Sequence, residues 1–190
     1  MVDIERAEEA VRSLLLALGE DPDREGLAQT PTRVANAWRE RLRGYELDPD
    51  EILSRTFSEA EGYDEVIMVR RIPVRSVCEH HLLPVTGIAW VGYVPRPDGP
   101  VVGLSKLARL VEVFAARLQL QERLTRQVAE AIERRLEPLG VGVIVRAEHG
   151  CMSCRGVLTP DSDAITSAML GCFRDKPEAR AEFLRLVEIQ

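Results

Sequence analysis

The chain has 190 residues, 45% apolar and 29% charged, with 25 basic and 31 acidic side chains for a net charge of −6. That length and apolar share suit one domain, or a domain with an appended helical arm, and exclude general disorder. The acidic balance excludes a bulk nucleic-acid binder, which needs a basic surface against phosphate, but leaves room for a small anion in a locally basic cleft.

From the start, Met1-Val2-Asp3-Ile4-Glu5-Arg6 is acidic and amphipathic, without the apolar stretch of a secretory leader. Ile4, Ala7, Val11, Leu14, Leu15 and Leu18 recur at three- and four-residue steps, which predicts an amphipathic helix stopping at Gly19. Asp21-Pro22-Asp23 is a turn. Thr30-Pro31 caps and opens a second helix with Val34, Trp38 and Leu42 on one side, ending at Gly44. Asp48-Pro49 starts another short helical piece. The expected division is a helical arm over residues 1–60 and a main domain over 61–190. The arm is modest in apolar content, so part of its grip is expected from later chain segments or other subunits.

The pattern changes at Glu65. Val66 to Val69, then Ile72, Val74 and Val77, predict strand interrupted at Pro73; strand resumes over Val85–Val94 and closes at Pro95-Arg96-Pro97-Asp98-Gly99. Ser105 is the expected N-cap of a helix with Leu107, Leu110, Val111, Phe114 and Leu118 on its apolar side. A further helix runs to about Leu136, breaking at Pro138 and Gly140. Val141–Val145 is a strand leading into His149, another strand covers Ile165–Phe173, and Pro177 opens a terminal helix. The layout is α+β with antiparallel strand pairs. No apolar run approaches about 18 residues, so no membrane span is expected.

The chain has only three histidines, and all fall in Cys78-Glu79-His80-His81-Leu82 or in His149-Gly150-Cys151-Met152-Ser153-Cys154-Arg155. Taken alone, Cys78-x-x-His81 is as readily a buried thiol beside an imidazole as a metal site. The second segment changes the balance. Zinc favours thiolate and imidazole ligands, three from the protein when the fourth position is left for water. Cys78 and His81 can ligate one ion from a single turn, Cys151 can complete the set, and His149 stands nearby as an acid or base. Cys151-Met152-Ser153-Cys154 is a single C-x-x-C without the second pair of a structural zinc knuckle, and four cysteines, three of them between 151 and 172, do not form a spaced disulfide framework. Free thiols of this kind suit a reducing cytoplasm.

Four segments, in order, carry a resemblance: Ser76-Val77-Cys78-Glu79-His80-His81-Leu82-Leu83-Pro84, Gly103-Leu104-Ser105-Lys106-Leu107-Ala108-Arg109, Leu120-Gln121-Glu122-Arg123-Leu124-Thr125, and His149-Gly150-Cys151-Met152 with Arg155-Gly156-Val157. Together they resemble the GTP cyclohydrolase I family, over at least residues 26–174. The resemblance implies the tunnelling fold, a decamer of two pentamers forming an oligomeric barrel, and active sites at subunit boundaries. It also implies a reaction: opening of the guanine imidazole ring of GTP, release of formate, and rearrangement to 7,8-dihydroneopterin triphosphate. Residue by residue, it implies Cys78, His81 and Cys151 as zinc ligands and His80 and His149 as acid–base groups. Glu122 would anchor guanine, with Gln121 beside it, and Arg33, Lys106, Arg109 and Arg155 would hold the triphosphate, with Ser105 a polar contact.

The chemistry asks for these types. A metal brings the pKa of water from about 15.7 toward 7, and an imidazole of near-neutral pKa can protonate guanine N7 and shuttle protons afterwards. A carboxylate accepts from guanine N1–H and the 2-amino group, a pattern adenine does not offer. Read blandly, Glu122, Lys106, Arg109, Arg33 and Arg155 are surface charges, with Arg155 pairing Asp161 or Asp163. Glu79 is expected to orient a ligand histidine or its loop, and Cys172, Trp38, Trp90 and Phe114 to pack. Asn36 stands where the family commonly has a lysine, one turn after Arg33. Gly150 and Cys154 stand where bulkier residues, often methionine, are common, and Cys154 is positioned to compete with Cys151 or form a disulfide with it. Three other readings stay open: an enzyme stopping at a ring-opened product, a silent purine-binding member of the fold, and a structural zinc module with four closed ligands.

Overall fold

The computed structural model describes residues 2–57 and 62–189. Helices α1 (Ile4–Ala17) and α2 (Thr30–Arg41) lead to a 3-10 turn (Arg43–Glu46) and the one-turn helix α3 (Pro49–Ile52). Then come β1 (Thr56–Phe57), β2 (Ile67–Cys78), β3 (Pro84–Val94) and β4 (Val101–Val102). Helix α4 (Leu104–Ala115), β5 (Leu118–Gln119), α5 (Gln121–Leu136) and β6 (Gly140–His149) follow. The chain closes with α6 (Gly150–Ser153), β7 (Ala164–Gly171), α7 (Cys172–Asp175) and α8 (Pro177–Glu188). The fold is α+β, as the pattern predicts.

The main sheet has the order β5-β2-β3-β6-β7, antiparallel except for a two-residue parallel pairing of β2 with β5. Alternation in the central strands sends their two faces to two cores. Ala89, Val91, Val141, Val143 and Val145 meet Leu107, Leu110, Phe114, Leu124, Val128 and Ile132 of α4 and α5. Trp90, Val94 and Ile144 meet Phe173 and Phe183 on the opposite side. Strands covered on both faces are apolar throughout, which is why β6 reads as a run rather than an alternation.

Helix α8 comes close to the sheet because β6 has no side chain beneath it at one point. A Cβ on Gly142 would lie 2.5 Å from the Phe183 ring, whose side chain is fully buried. Gly142→Ala is therefore expected to destabilise by about 1–3 kcal/mol through overpacking, and Phe183→Ala by about 3–5 kcal/mol through the void. Thermal unfolding checks both, and an unchanged midpoint for Gly142→Ala would contradict the close seat.

Helix α1 is capped by Asp3, which accepts from Arg6 N–H at 3.1 Å, and it packs on α2 without burying any residue fully. Leu14 and Leu18 stay exposed. The segment after α2 is held more firmly. Gly44 donates its N–H to the Ala116 carbonyl and accepts from Arg117 Nε, each at 3.0 Å, and a Cβ there would lie 2.1 Å from the Val113 carbonyl. Part of the grip on this opening region thus comes from the end of α4, as expected.

Four boundaries differ from the sequence expectation. Strand β2 runs through Pro73, and its irregularity lies between Val69 and Ile72, where Arg71 has φ +57°. Proline is tolerated because β5 pairs only with Val77 and Cys78, leaving β2 an edge strand at Pro73. The N-cap of α4 is Gly103 rather than Ser105, with Lys106 N–H already bonded to the Gly103 carbonyl at 2.8 Å. Leu118 leaves α4 for β5, and Gln29 rather than Thr30 occupies the cap position of α2.

Candidate metal centre and active site

Strand β2 ends at Cys78, and the chain folds back on itself before β3. Cys78 N–H donates to the Leu83 carbonyl and Leu82 N–H to the Cys78 carbonyl, both at 2.9 Å, with Leu82 at φ +56°. This tight turn returns His81 over Cys78, with Nδ1 3.7 Å from Sγ. The second segment arrives through sheet register. Val85 of β3 pairs with His149 of β6, so α6 begins directly beside Pro84. Gly150 makes that approach possible, since a Cβ there would meet the Pro84 carbonyl at 3.1 Å.

The outcome is one cluster. Ligand atoms of Cys78, His81 and Cys151 all lie within 4.8 Å of one another. A tetrahedral ion with bonds of about 2.3 Å to sulfur and 2.0–2.1 Å to nitrogen separates two such ligands by roughly 3.6 Å. The Cys78–His81 spacing fits. Burial and the neighbouring Cys78 thiol push the Cys151 thiol up, opposed in part by Arg155. A cation between them removes that penalty by favouring thiolate. Cys151, not Cys154, belongs to the cluster; the Cys154 thiol donates to the Gly150 carbonyl at 2.8 Å. The group has three ligand residues among the described residues, whereas a closed structural site needs four.

Around this cluster the predicted residues divide. His149 is half-buried, its Nε2 2.7 Å from Gln121 Oε1, and burial pushes its pKa below the ordinary value while nearby Glu122 opposes the shift. His80 is exposed, its ring edge-on to His81 at 6.2 Å between centroids. Glu122, in the first turn of α5, borders a hollow of about 750 Å³ between α5 and β7. Arg109 lines a separate hollow of about 350 Å³ under α4, and Arg33 with Asn36 lines one of about 780 Å³ along α2. Those two share Glu40 and Arg43 and are adjacent, whereas the hollow at Glu122 shares no lining residue with either. Within one chain, then, Arg33 and Arg109 border hollows other than the one at Glu122.

The side chains of Arg33, Lys106, Arg109 and Arg155 have no hydrogen-bond or ion-pair partner among the described residues, so all four are free for an anion. Asp163 pairs with Arg146 instead of Arg155. Asn36 turns its amide back to the Thr32 carbonyl at 2.9 Å.

Two features go beyond the sequence expectation. Arg123 clamps Glu79 in a bidentate pair, both contacts 2.7 Å, and that hydrogen bonding holds the carboxyl below the usual range. Glu79 thus ties the His80–His81 turn to α5, which is the loop role expected of it. The second is a part-buried hydroxyl pair, Thr125 and Thr166, at 2.6 Å beneath Gln121. Thr125, four residues after Gln121 on a helix face, is a readable signal; the Arg123–Glu79 pair joins distant segments and is not.

Residues 7–188 match the family model described as GTP cyclohydrolase I. GTP cyclohydrolase 1 of Corynebacterium glutamicum is 50% identical over 97% of this chain and 93% of that protein. The protein of the same name from Mycobacteroides abscessus is 54% identical over 97% of this chain and 90% of its own length. Among solved structures, the archaeosine synthase QueF-Like in the apo form aligns with 56% of this chain and 94% of its own, at TM-score 0.45 and 19% identity, a likeness too loose to bear on the assignment. With the family match spanning nearly the whole length and half of all positions identical in full-length relatives, the chain belongs to the GTP cyclohydrolase I family.

Proposed function

We propose that this protein opens the imidazole ring of GTP, releases formate and rearranges the product to 7,8-dihydroneopterin triphosphate. The observation that carries the reading is the convergence of Cys78, His81 and Cys151 beside His149 in a chain of this family. Those three side chains hold zinc. When bound, the ion supplies Lewis acidity and a water of lowered pKa.

The remaining work falls to the protein. His149 gives a proton to guanine N7 and moves protons in the later steps, with His80 as the second acid–base group. Glu122 accepts from N1–H and the 2-amino group, which selects guanine over adenine. Arg33, Lys106, Arg109 and Arg155 neutralise the triphosphate, with Ser105 a polar contact; the four basic side chains have no hydrogen-bond or ion-pair partner among the described residues, which supports this assignment. Because the Arg33 and Arg109 hollows are separate from the one at Glu122, the reading includes completion of each site between subunits of a decameric, tunnelling-fold barrel. Residues 1–60 form its helical arm and 61–190 its catalytic domain. No helix of the described residues is long and apolar enough to cross a membrane, and the assigned setting is the cytoplasm.

Purified zinc-loaded protein incubated with GTP tests the reading: formate and a fluorescent neopterin, seen after oxidation and dephosphorylation, should form together. Formate without neopterin, or a ring-opened product alone, would overturn it. Glu122→Gln is expected to lower kcat/KM for GTP by about 10²–10⁴, because an amide presents a donor where guanine also presents one. Equal losses with unrelated nucleotides would contradict the guanine contact.

A further inference from the structure

The side chain of Gln121 is buried, 5% exposed, and fully engaged by the protein. Its Nε2 lies 3.1 Å from the Val145 carbonyl, 2.9 Å from the Ala164 carbonyl and 3.2 Å from the Thr166 hydroxyl. Carbonyl oxygens only accept, so the amide end facing them is the NH₂ and the oxygen end faces His149. An amide oxygen has no proton to give. The proton in the 2.7 Å bond to His149 therefore sits on Nε2 of the ring.

The hydroxyls beneath obey the same logic. Thr125 Oγ1 lies 2.8 Å from the Gln121 carbonyl and 2.6 Å from Thr166 Oγ1. Its one proton goes to the carbonyl, so Thr166 donates to Thr125 and turns a lone pair toward the Gln121 amide. The Gln121 amide is thus fixed in one sense, its NH₂ donating to carbonyls and its oxygen accepting from the His149 ring. Anchored at carbonyls at one end, it leaves the imidazole no choice of tautomer.

Resting on the reading that His149 moves protons for guanine, we propose that Gln121 is a positioning residue rather than a guanine ligand: it fixes His149 as the Nε2–H form and leaves Nδ1 to exchange the substrate's proton. A histidine held in the wrong tautomer can lose up to about 10⁴ in rate, as the trypsin triad illustrates. Gln121 has no free polar atom to offer a purine: Nε2 has more acceptors than protons, and Oε1 is taken by the ring.

The test uses the zinc-loaded, full-length protein, wild type and Gln121→Met and Gln121→Glu. In Gln121→Met, kcat is expected to fall about 10–10²-fold with KM for GTP within about threefold and zinc content unchanged. Gln121→Glu, which restores an acceptor for Nε2–H, should recover much of that loss. A tenfold or greater rise in KM at unchanged kcat in Gln121→Met would instead make Gln121 a substrate ligand and overturn the proposal. Solid-state ¹⁵N spectra of histidine-labelled protein decide independently of turnover, with only three histidines to assign. Wild type should show His149 with Nε2 protonated and Nδ1 bare, and Gln121→Met a mixture. Should Gln121→Met not fold, the wild-type spectrum alone decides, since Nδ1–H at His149 sinks the idea. An enzyme inactive on GTP but with the Nε2–H signal would condemn the substrate assignment while leaving the tautomer lock standing.

Discussion

Cys151→Ser is expected to leave the fold intact, lower zinc affinity by more than about a hundredfold and take turnover to background. Replacing sulfur by oxygen removes one of only three ligand residues in the cluster, while the half-buried setting of Cys151 disfavours a charged alkoxide. The change is nearly isosteric, so sheet register at Val85 and His149 should persist and circular dichroism should be unaltered. Zinc per chain after dialysis, alongside GTP turnover, reads the outcome. One tightly held zinc in Cys151→Ser, lost only when Cys154 is also replaced, would assign the ligand to Cys154. The present position of that thiol, turned to the Gly150 carbonyl, argues otherwise.

His149→Ala is expected to do the reverse: keep about one zinc per chain and lose about 10²–10⁴ in kcat. The imidazole lies two residues before Cys151 at the end of β6, yet it is absent from the ligand cluster and is bonded to Gln121 instead. Burial pushes its pKa below the ordinary histidine value while Glu122 opposes the shift, which suits a group that must cycle a proton. Metal content and single-turnover formate release separate the two functions. Loss of zinc in this variant would make His149 a ligand or a support of the metal loop, and its acid–base role would fall.

Much of this arrangement is legible in the chain itself. Histidine is scarce here, so the placing of all of it beside cysteine in two short segments marks the site by residue type and position alone. Helix periodicity locates α1 and α5 to within a residue or so, and the body of α4 but not its ends, because their apolar faces meet neighbouring elements. Short elements escape it: β5 has two residues and is defined only by its pairing with Val77 and Cys78. The shift of the β2 irregularity from Pro73 to Arg70 and Arg71 has the same cause, since an edge strand tolerates proline and a bulge answers to its partner strand. Glu79 and Gln121 are recognisable as site residues, but their partners Arg123, Val145, Ala164 and Thr166 are not. Hydrogen bonds to backbone carbonyls carry no side-chain signature, and ion pairs between remote segments leave no spacing to read.

The side-by-side placement of the two ligand segments, one leading into β3 and the other leaving β6, has a thermodynamic corollary. An ion shared between them would bind the folded chain, where distant segments meet, and not the unfolded one, so it would stabilise the fold as well as serve the chemistry. Its occupancy and the heat tolerance of the protein are then linked quantities: each tenfold gain in free ion above the dissociation constant adds about 1.4 kcal/mol to folding. With such an ion bound, a chelator would act as a destabilising agent, and scarcity of the ion would shorten the life of the polypeptide as well as slow its turnover.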